Sequence, residues 1–409
     1  MVGTRSYLLD NNTDKNRSMI INNSLLESKY GCYICGGITF LSKFKALEYA
    51  NQINTGVVRF YYHDHIWDTF DKTLLGKVPL TTLYKERAQQ LRDRYDHLVL
   101  HYSGGADSHN ILHTFLVNNI KLDEVSVRWA KPLRDGKFYT PNKNDQSPTN
   151  AVSEWDYAIK PTLDRLKSTH PEIKITIVDF SDKLDDKLVK SNNIENRIVE
   201  LNMSRGALFS LTARLNPKVE QEATTATRNK RIGHMFGIDK PIVNIDSTGY
   251  NMCFQDAMLE NTLMYEAQSQ GSVEFFYWAP DFPILPMEQA YQIALKFKTD
   301  AAAKETLFED WADRDSEIIR NKIHAEQQVQ KQVLYRDSWS FDTFQAGKPN
   351  AARSDWYFWL HGSSELSHLK QAHEIAMKNL TSNIDSRMLI NAENVPLLIP
   401  LRTKFFNVL

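Results

Sequence analysis

Between residues 81 and 130 the spacing of apolar positions changes period repeatedly, and each change marks an element. In TTLYKERAQQLRDRYD, Leu83, Ala88, Leu91 and Tyr95 fall on one helical stripe. The adjoining HLVLHY is an almost unbroken apolar run of strand length, the pattern of a strand covered on both faces. SGGADS interrupts it, a second helical period starts at about Ser108, and the strand-like EVSVRWA follows. After a polar loop through Asn150, AVSEWDYAIKPTLDRLKST reads as a helix and IKITIVDFS as a third strand. RIGHMFGIDKPIVNI holds a fourth strand and room for a fifth. This alternation predicts an α/β domain over 81–256, a doubly wound and mostly parallel sheet covered by helices.

The flanks follow other rules. Residues 1–28 are polar and Asn-rich, a loosely held arm. CYICGGITF reads as two short strands about Gly36 and Gly37, followed by a helix with Phe44, Leu47 and Ala50 on one face, then a strand in GVVRFYYHDHIW. Together they predict a small α+β module over 29–80. Beyond Asp256 strand signals fade into long helical periods, so 257–409 is expected to be a mainly helical lobe, interrupted by the loop FQAGKPNAARSD. No internal repeat or low-complexity tract is evident.

Composition narrows the function classes. A chain of 409 residues and 47.3 kDa is large enough for two cores or one enlarged core. With 49 basic and 50 acidic side chains there is no global field for a polyanion, which leaves nucleic acid only a local patch. Arg228, Lys230 and Arg231 form one such cluster, although a short basic run is more commonly solvated surface. No signal-like apolar segment and no run of about 18 apolar residues is present, so no membrane partner and a cytoplasmic location are expected. Three cysteines, Cys32, Cys35 and Cys253, cannot make a disulfide framework. The pair in CYIC lacks a second pair at zinc-site spacing and reads as ordinary strand residues. His63-Asp64-His65 would need a third ligand from elsewhere to hold a metal.

The chemistry concentrates in SGGADS. A strand that ends in this stretch and opens a helix gathers backbone N–H groups and the positive end of the helix dipole around one small space, which suits phosphate oxygens. Gly104 and Gly105 allow a sharp turn and close approach, and Ser103 and Ser108 add hydroxyls. Asp107 beside phosphates calls for a cation, so it is assigned to Mg²⁺. The loop has neither the Walker A spacing nor Gly-x-Gly-x-x-Gly. The alternative is a helix-capping turn, with Asp107 or Ser108 as N-cap.

Residues 103–108 resemble the PP-loop of the ATP pyrophosphatase (adenine nucleotide α-hydrolase-like) superfamily, which includes asparagine, GMP and argininosuccinate synthetases and tRNA thiolation and lysidine enzymes. The nearest likeness is to asparagine-synthetase-like ligases, particularly the short stand-alone forms carried by bacteriophages, for which the compartment would be the host cytoplasm. The resemblance implies a HUP-like sheet and ATP with Mg²⁺, cleaved between the α and β phosphates. It also implies an adenylated carboxylate or carbonyl that passes to an amine. It sets Ser103, Gly104, Gly105, Asp107 and Ser108 around the departing pyrophosphate. In such folds the adenine lies against the C-terminal end of the second strand, which makes Val127, Arg128 and Trp129 candidates for adenine or ribose, although a tryptophan there serves a core equally well.

Three further stretches carry weaker expectations. In FGIDKP, Asp239 and Lys240 are expected at the C-terminal edge of the sheet, where Lys240 would offset charge on the α-phosphate or pyrophosphate; a surface Asp-Lys turn explains them equally. This stretch departs from the acidic Gly-x-Gly-Ser-Asp-Glu loop of full asparagine synthetases. In EFFYWAPDFP, Tyr277, Trp278 and Asp281 suit either a pocket or, preferably, a hydrophobic junction. Lys348 and Arg353 sit in a loop of lid-like composition.

Val2 stands where glutamine-dependent asparagine synthetases carry a nucleophilic cysteine, and the N-terminal module is short, so the amine is expected from a source other than glutamine. A lone Cys253 lowers the case for sulfur transfer. The leading expectation is an AMP-forming carbon–nitrogen ligase acting on a small molecule or a modified base. The alternatives are a tRNA- or DNA-base-modifying enzyme and a non-catalytic ATP-binding protein with a protein partner. Neither the acceptor nor the oligomeric state is legible.

Overall fold

The computed structural model describes residues 28–54, 57–128, 155–178, 230–237, 240–256, 272–307, 317–338, 367–392 and 395–409, with the single positions 26 and 195. Trp129, Arg228, Asp239, Lys348, Arg353 and nearly all of the 1–28 arm lie outside the described residues.

The N-terminal module begins with a hairpin, β1 (Cys32–Cys35) and β2 (Ile38–Phe40). Its two loop residues, Gly36 and Gly37, have φ of +54° and +80°, the left-handed pair that a tight hairpin of native twist requires. Helix α1 (Lys43–Gln52) starts at Ser42, whose side chain accepts from the Lys45 N–H, and buries Phe44, Leu47 and Ala50. Strand β3 (Arg59–Tyr61) pairs with the other side of β1, and a short helix α2 (Asp64–Asp68) follows.

Helix α3 (Leu80–Arg94) buries Leu83, Ala88 and Leu91 and leads into β4 (His97–His101). Then come α4 (Ala106–Val117), β5 (Glu124–Arg128), one π-helical turn at Trp155–Ile159, α5 (Lys160–Thr169), β6 (Lys174–Val178) and β7 (Ile232–Phe236). Leu98, Val99 and Leu100 are all buried, as the apolar run of β4 predicts for a strand covered on both faces.

Five parallel strands form the central sheet in the order β10-β7-β4-β5-β6, where β10 is Ser272–Phe275. The molecule is thus an α/β protein with a helix-flanked parallel sheet. From β4 the strands follow outward through β5 to β6, whereas β7 lies on the other side of β4. The strand order therefore reverses between β4 and β7, the position at which open parallel sheets form a crevice beyond their C-terminal ends.

Two expectations need correcting. The fifth parallel strand is not the one after Lys240: β8 (Ile242–Asp246) pairs antiparallel with β9 (Gly249–Cys253), which in turn pairs with β13 (Phe406–Asn407). Its IVNID run buries only Val243 and alternates with polar positions, the habit of a half-exposed antiparallel strand. The fifth strand is β10, inside the stretch read as helical lobe, where Val273 and Phe275 are buried.

The rest of that lobe has α6 (Ile284–Thr299), α7 (Ala301–Glu305), α8 (Glu317–Tyr335) and α9 (Ser367–Thr381). It also has an antiparallel pair, β11 (Leu389–Ala392) with β12 (Val395–Leu398). One continuous apolar core joins the N-terminal module, the sheet and α6.

Candidate functional site

SGGADS occupies the turn from β4 into α4, and the residues after β7 lie beside it at the reversal of strand order. Gly104, at φ +80°, makes the turn that no side chain tolerates well, and a Cβ there would lie 2.7 Å from Ile159 Cγ1 of the π-helical turn. At Gly105 a Cβ would meet only Ser103 Oγ, at 3.4 Å, so this is the glycine with open space before it.

Gly105 is also the N-cap of α4 and supplies no side-chain cap. The capping alternative fails: Asp107 and Ser108 lie inside the helix, and the N–H groups of Ala106 and Asp107 meet no acceptor among the described residues. The two serines brace the loop. Ser108 Oγ accepts from the Ser103 N–H at 3.2 Å, lies 3.2 Å from Ser103 Oγ and donates to the Gly105 carbonyl at 3.1 Å.

Asp107 is the hub. Its Oδ1 accepts from Lys240 Nζ at 2.8 Å and from the Tyr335 hydroxyl at 2.6 Å, while its backbone carbonyl accepts from the Tyr277 hydroxyl at 2.8 Å. The Lys240 and Asp107 side chains are 10% and 24% exposed, so the pair is sheltered yet reachable. Burial disfavours the charged carboxylate, but Lys240 and the Tyr335 hydroxyl outweigh it and hold Asp107 below its usual range. Burial and the neighbouring Asp107 charge push the Tyr335 phenol well up, and burial does the same for Tyr277, so both hydroxyls stay protonated as donors.

The approach of the β7 end is equally close: a Cβ on Gly237 would lie 2.8 Å from the Ser108 nitrogen and 2.9 Å from the Asp107 carbonyl carbon. Ser103, Gly104, Gly105, Asp107, Ser108 and Lys240 are thus one cluster.

The other candidates divide. Val127 is fully buried in β5 and packs the core, so the adenine expectation does not suit its side chain. Arg128 ends β5, at the C-terminal edge of the sheet. His101 and His234, on adjacent strands, have ring nitrogens 3.1 Å apart, and the Phe236 ring stacks on His101 with centroids 4.2 Å apart. These three aromatic rings lead up to the site and had no motif to announce them.

Tyr277 faces Asp107, whereas Trp278 and Asp281 line a cavity of about 350 Å³ beside Arg94 and Lys29. There Asp281 is engaged by Arg87 and Arg94, and Glu274 by Lys29, Arg87 and Arg94. All five N–H groups of buried Arg87 meet protein acceptors, so its ion pairs are internal to the junction.

Chemistry outside this cluster is muted. Cys32 and Cys253 are buried, which pushes each thiol up to about 12 and keeps it from acting as a thiolate near neutral pH. Among the described residues no group of three or more His, Cys, Asp or Glu could hold a metal ion, so His63 and His65 gain no third ligand there. Nor is any described helix long and apolar enough to cross a membrane.

Sequence reasoning reached five loop residues and Lys240 but not Tyr335. That tyrosine closes an apolar helical stripe in KQVLY and lies 228 positions from Asp107, so no local signal marks it. No protein-family model, curated protein or solved structure matches the chain.

Proposed function

We propose that this protein is an ATP-dependent ligase of the AMP- and pyrophosphate-forming kind, built on a HUP-like sheet. It adenylates a carboxylate or carbonyl and passes it to an amine. The observation that carries the reading is the meeting of Asp107, in the first turn of α4, with Lys240, after β7, at the reversal of strand order, beside uncapped N–H groups of α4.

The residues fit a nucleotide with its cation. The open side of Gly105 and the uncapped first turn of α4 offer donors to the β and γ phosphates, with Ser103 and Ser108 bracing the loop that presents them. Asp107 would hold Mg²⁺: its Oδ1 is anchored twice, and its Oδ2 accepts no hydrogen bond from the described residues. Bound there, Mg²⁺ would neutralise phosphate charge and orient the polyphosphate. Lys240 bridges from Asp107 toward the same crevice and offsets charge that grows between the α and β phosphates as pyrophosphate departs. The acceptor oxygen attacks the α-phosphorus, the bond to pyrophosphate breaks, and the amine then displaces AMP from the activated carbonyl.

The test is incubation of the full chain with ATP, Mg²⁺ and pools of metabolites or nucleic acids, with nucleotide products separated by chromatography. AMP with pyrophosphate is expected, reduced roughly 10²-fold or more in D107N. ADP would refute the assignment. Intact ATP retained without turnover across all pools would favour a nucleotide-binding protein instead.

A further inference from the structure

We propose that Tyr335, from helix α8 of the C-terminal lobe, is a positioning residue that aims the Asp107 carboxylate at the cation of the nucleotide site. The inference rests on the nucleotide-site reading above and extends it to a part of the chain without a motif. A carboxylate held through one oxygen by one donor still swings about its Cβ–Cγ bond. Asp107 Oδ1 instead takes two donors from different elements, Lys240 after β7 and Tyr335 at the end of α8. Two anchors on one oxygen leave Oδ2 as the exit for a cation, which is how outer-sphere partners orient metal-binding carboxylates.

Tyr335 is itself over-determined. It is 1% exposed, with ring centroids 5.8 Å from Tyr277 and 6.4 Å from Tyr84. The Tyr84 hydroxyl donates to the Leu334 carbonyl at 3.1 Å, and Ser338 Oγ donates to Asn110 Oδ1 of α4 at 2.8 Å. The end of α8 is thereby bolted to the helix that carries Asp107. Lys240 cannot do this work alone, because the same ammonium is required by the phosphates; once it turns toward them, the phenol is the anchor that stays.

Two variants separate aiming from packing. Y335F keeps the buried ring and removes the hydroxyl on Asp107. S338A removes a hydrogen bond to α4 from the turn that follows α8, without touching Asp107. Binding of a non-cleavable α,β-methylene ATP analogue to the full chain is measured by calorimetry across a Mg²⁺ series, with thermal melting run in parallel.

The expected result is a ten- to hundred-fold rise in the Mg²⁺ concentration needed for half-maximal binding in Y335F, the usual cost of losing an outer-sphere partner. Affinity at saturating Mg²⁺ should stay within about twofold of the parent protein, and S338A should keep the parent Mg²⁺ midpoint. Equal midpoints in Y335F and the parent would overturn the positioning role and leave the nucleotide reading intact. Equal shifts in Y335F and S338A would assign Tyr335 to packing. A parent protein that binds no analogue at any Mg²⁺ concentration would sink both.

Discussion

Lys240 and Asp107 show how much one ion pair can decide. The lysine is 10% exposed and its partner carboxylate 24%, so neither charge would be cheap to leave alone. Because the folded-state pKa of Asp107 is depressed, the stability it contributes is fully present above the ordinary carboxylate value of about 3.9 and is lost as pH falls below it. The pair is thus intact at neutral and mildly acidic pH. K240Q removes the larger of the two groups that favour the charge, so the acid limb of the melting-temperature profile should move toward neutral pH. AMP formation at pH 7 should fall by roughly 10² to 10³, the usual loss on removing a group that stabilises developing charge. A melting profile in K240Q that overlays the parent from pH 3 to 7 would show that Lys240 does not hold this carboxylate. At this scale the sequence was informative wherever chemistry was local: strand, glycines and helix adjoin within SGGADS. Tyr335 was invisible because its role is created by packing.

Among the elements, the approach of β7 to α4 matters most, and it depends on a residue that looked incidental. In the sequence Gly237 is only one residue of FGIDKP, yet an added Cβ would meet backbone atoms of Asp107 and Ser108 that cannot rotate away. G237A should force the β7 end off the α4 N-terminus and cost about 1–3 kcal/mol, as overpacking does. Nucleotide affinity should weaken with it, because Lys240 follows three residues later. Chemical denaturation and analogue titration check the two effects; unchanged stability and binding would mean that the junction flexes. Element types were legible because β4 and α4 carry strong periods. The partnering of strands was not: IVNID and SVEF both mix apolar with polar positions, so neither pattern separates the antiparallel strand β8 from the parallel strand β10. The long helical periods after Asp256 masked SVEF, four residues whose membership of the sheet depends on β7 being beside it.

Over the whole molecule, distant segments are joined by buried charge, which no local pattern announces. Lys43 and Asp256 are 2.6 Å apart with side chains 1% and 2% exposed. Lys43 also donates to the Ile399 carbonyl, while Asp256 accepts from the Tyr33 hydroxyl at 3.3 Å and the Leu401 N–H at 2.9 Å. One cluster thereby ties the N-terminal module, the end of β9 and the C-terminal strand segment. In the sequence nothing marks Lys43, and Asp256 is only the bound of the 81–256 domain, because separations of more than 200 residues leave no periodic trace. The desolvation of both ions offsets much of their attraction, so the pair is better understood as specifying which segments meet than as a large net stabiliser. That distinction is testable by a double-mutant cycle. K43M strands a buried carboxylate and should cost about 3–5 kcal/mol. D256N on that background removes the stranded charge while its side-chain oxygen still accepts from the Leu401 N–H, so K43M/D256N should regain a large part of the loss. If the double variant is as unstable as the two single losses added together, Lys43 and Asp256 act independently.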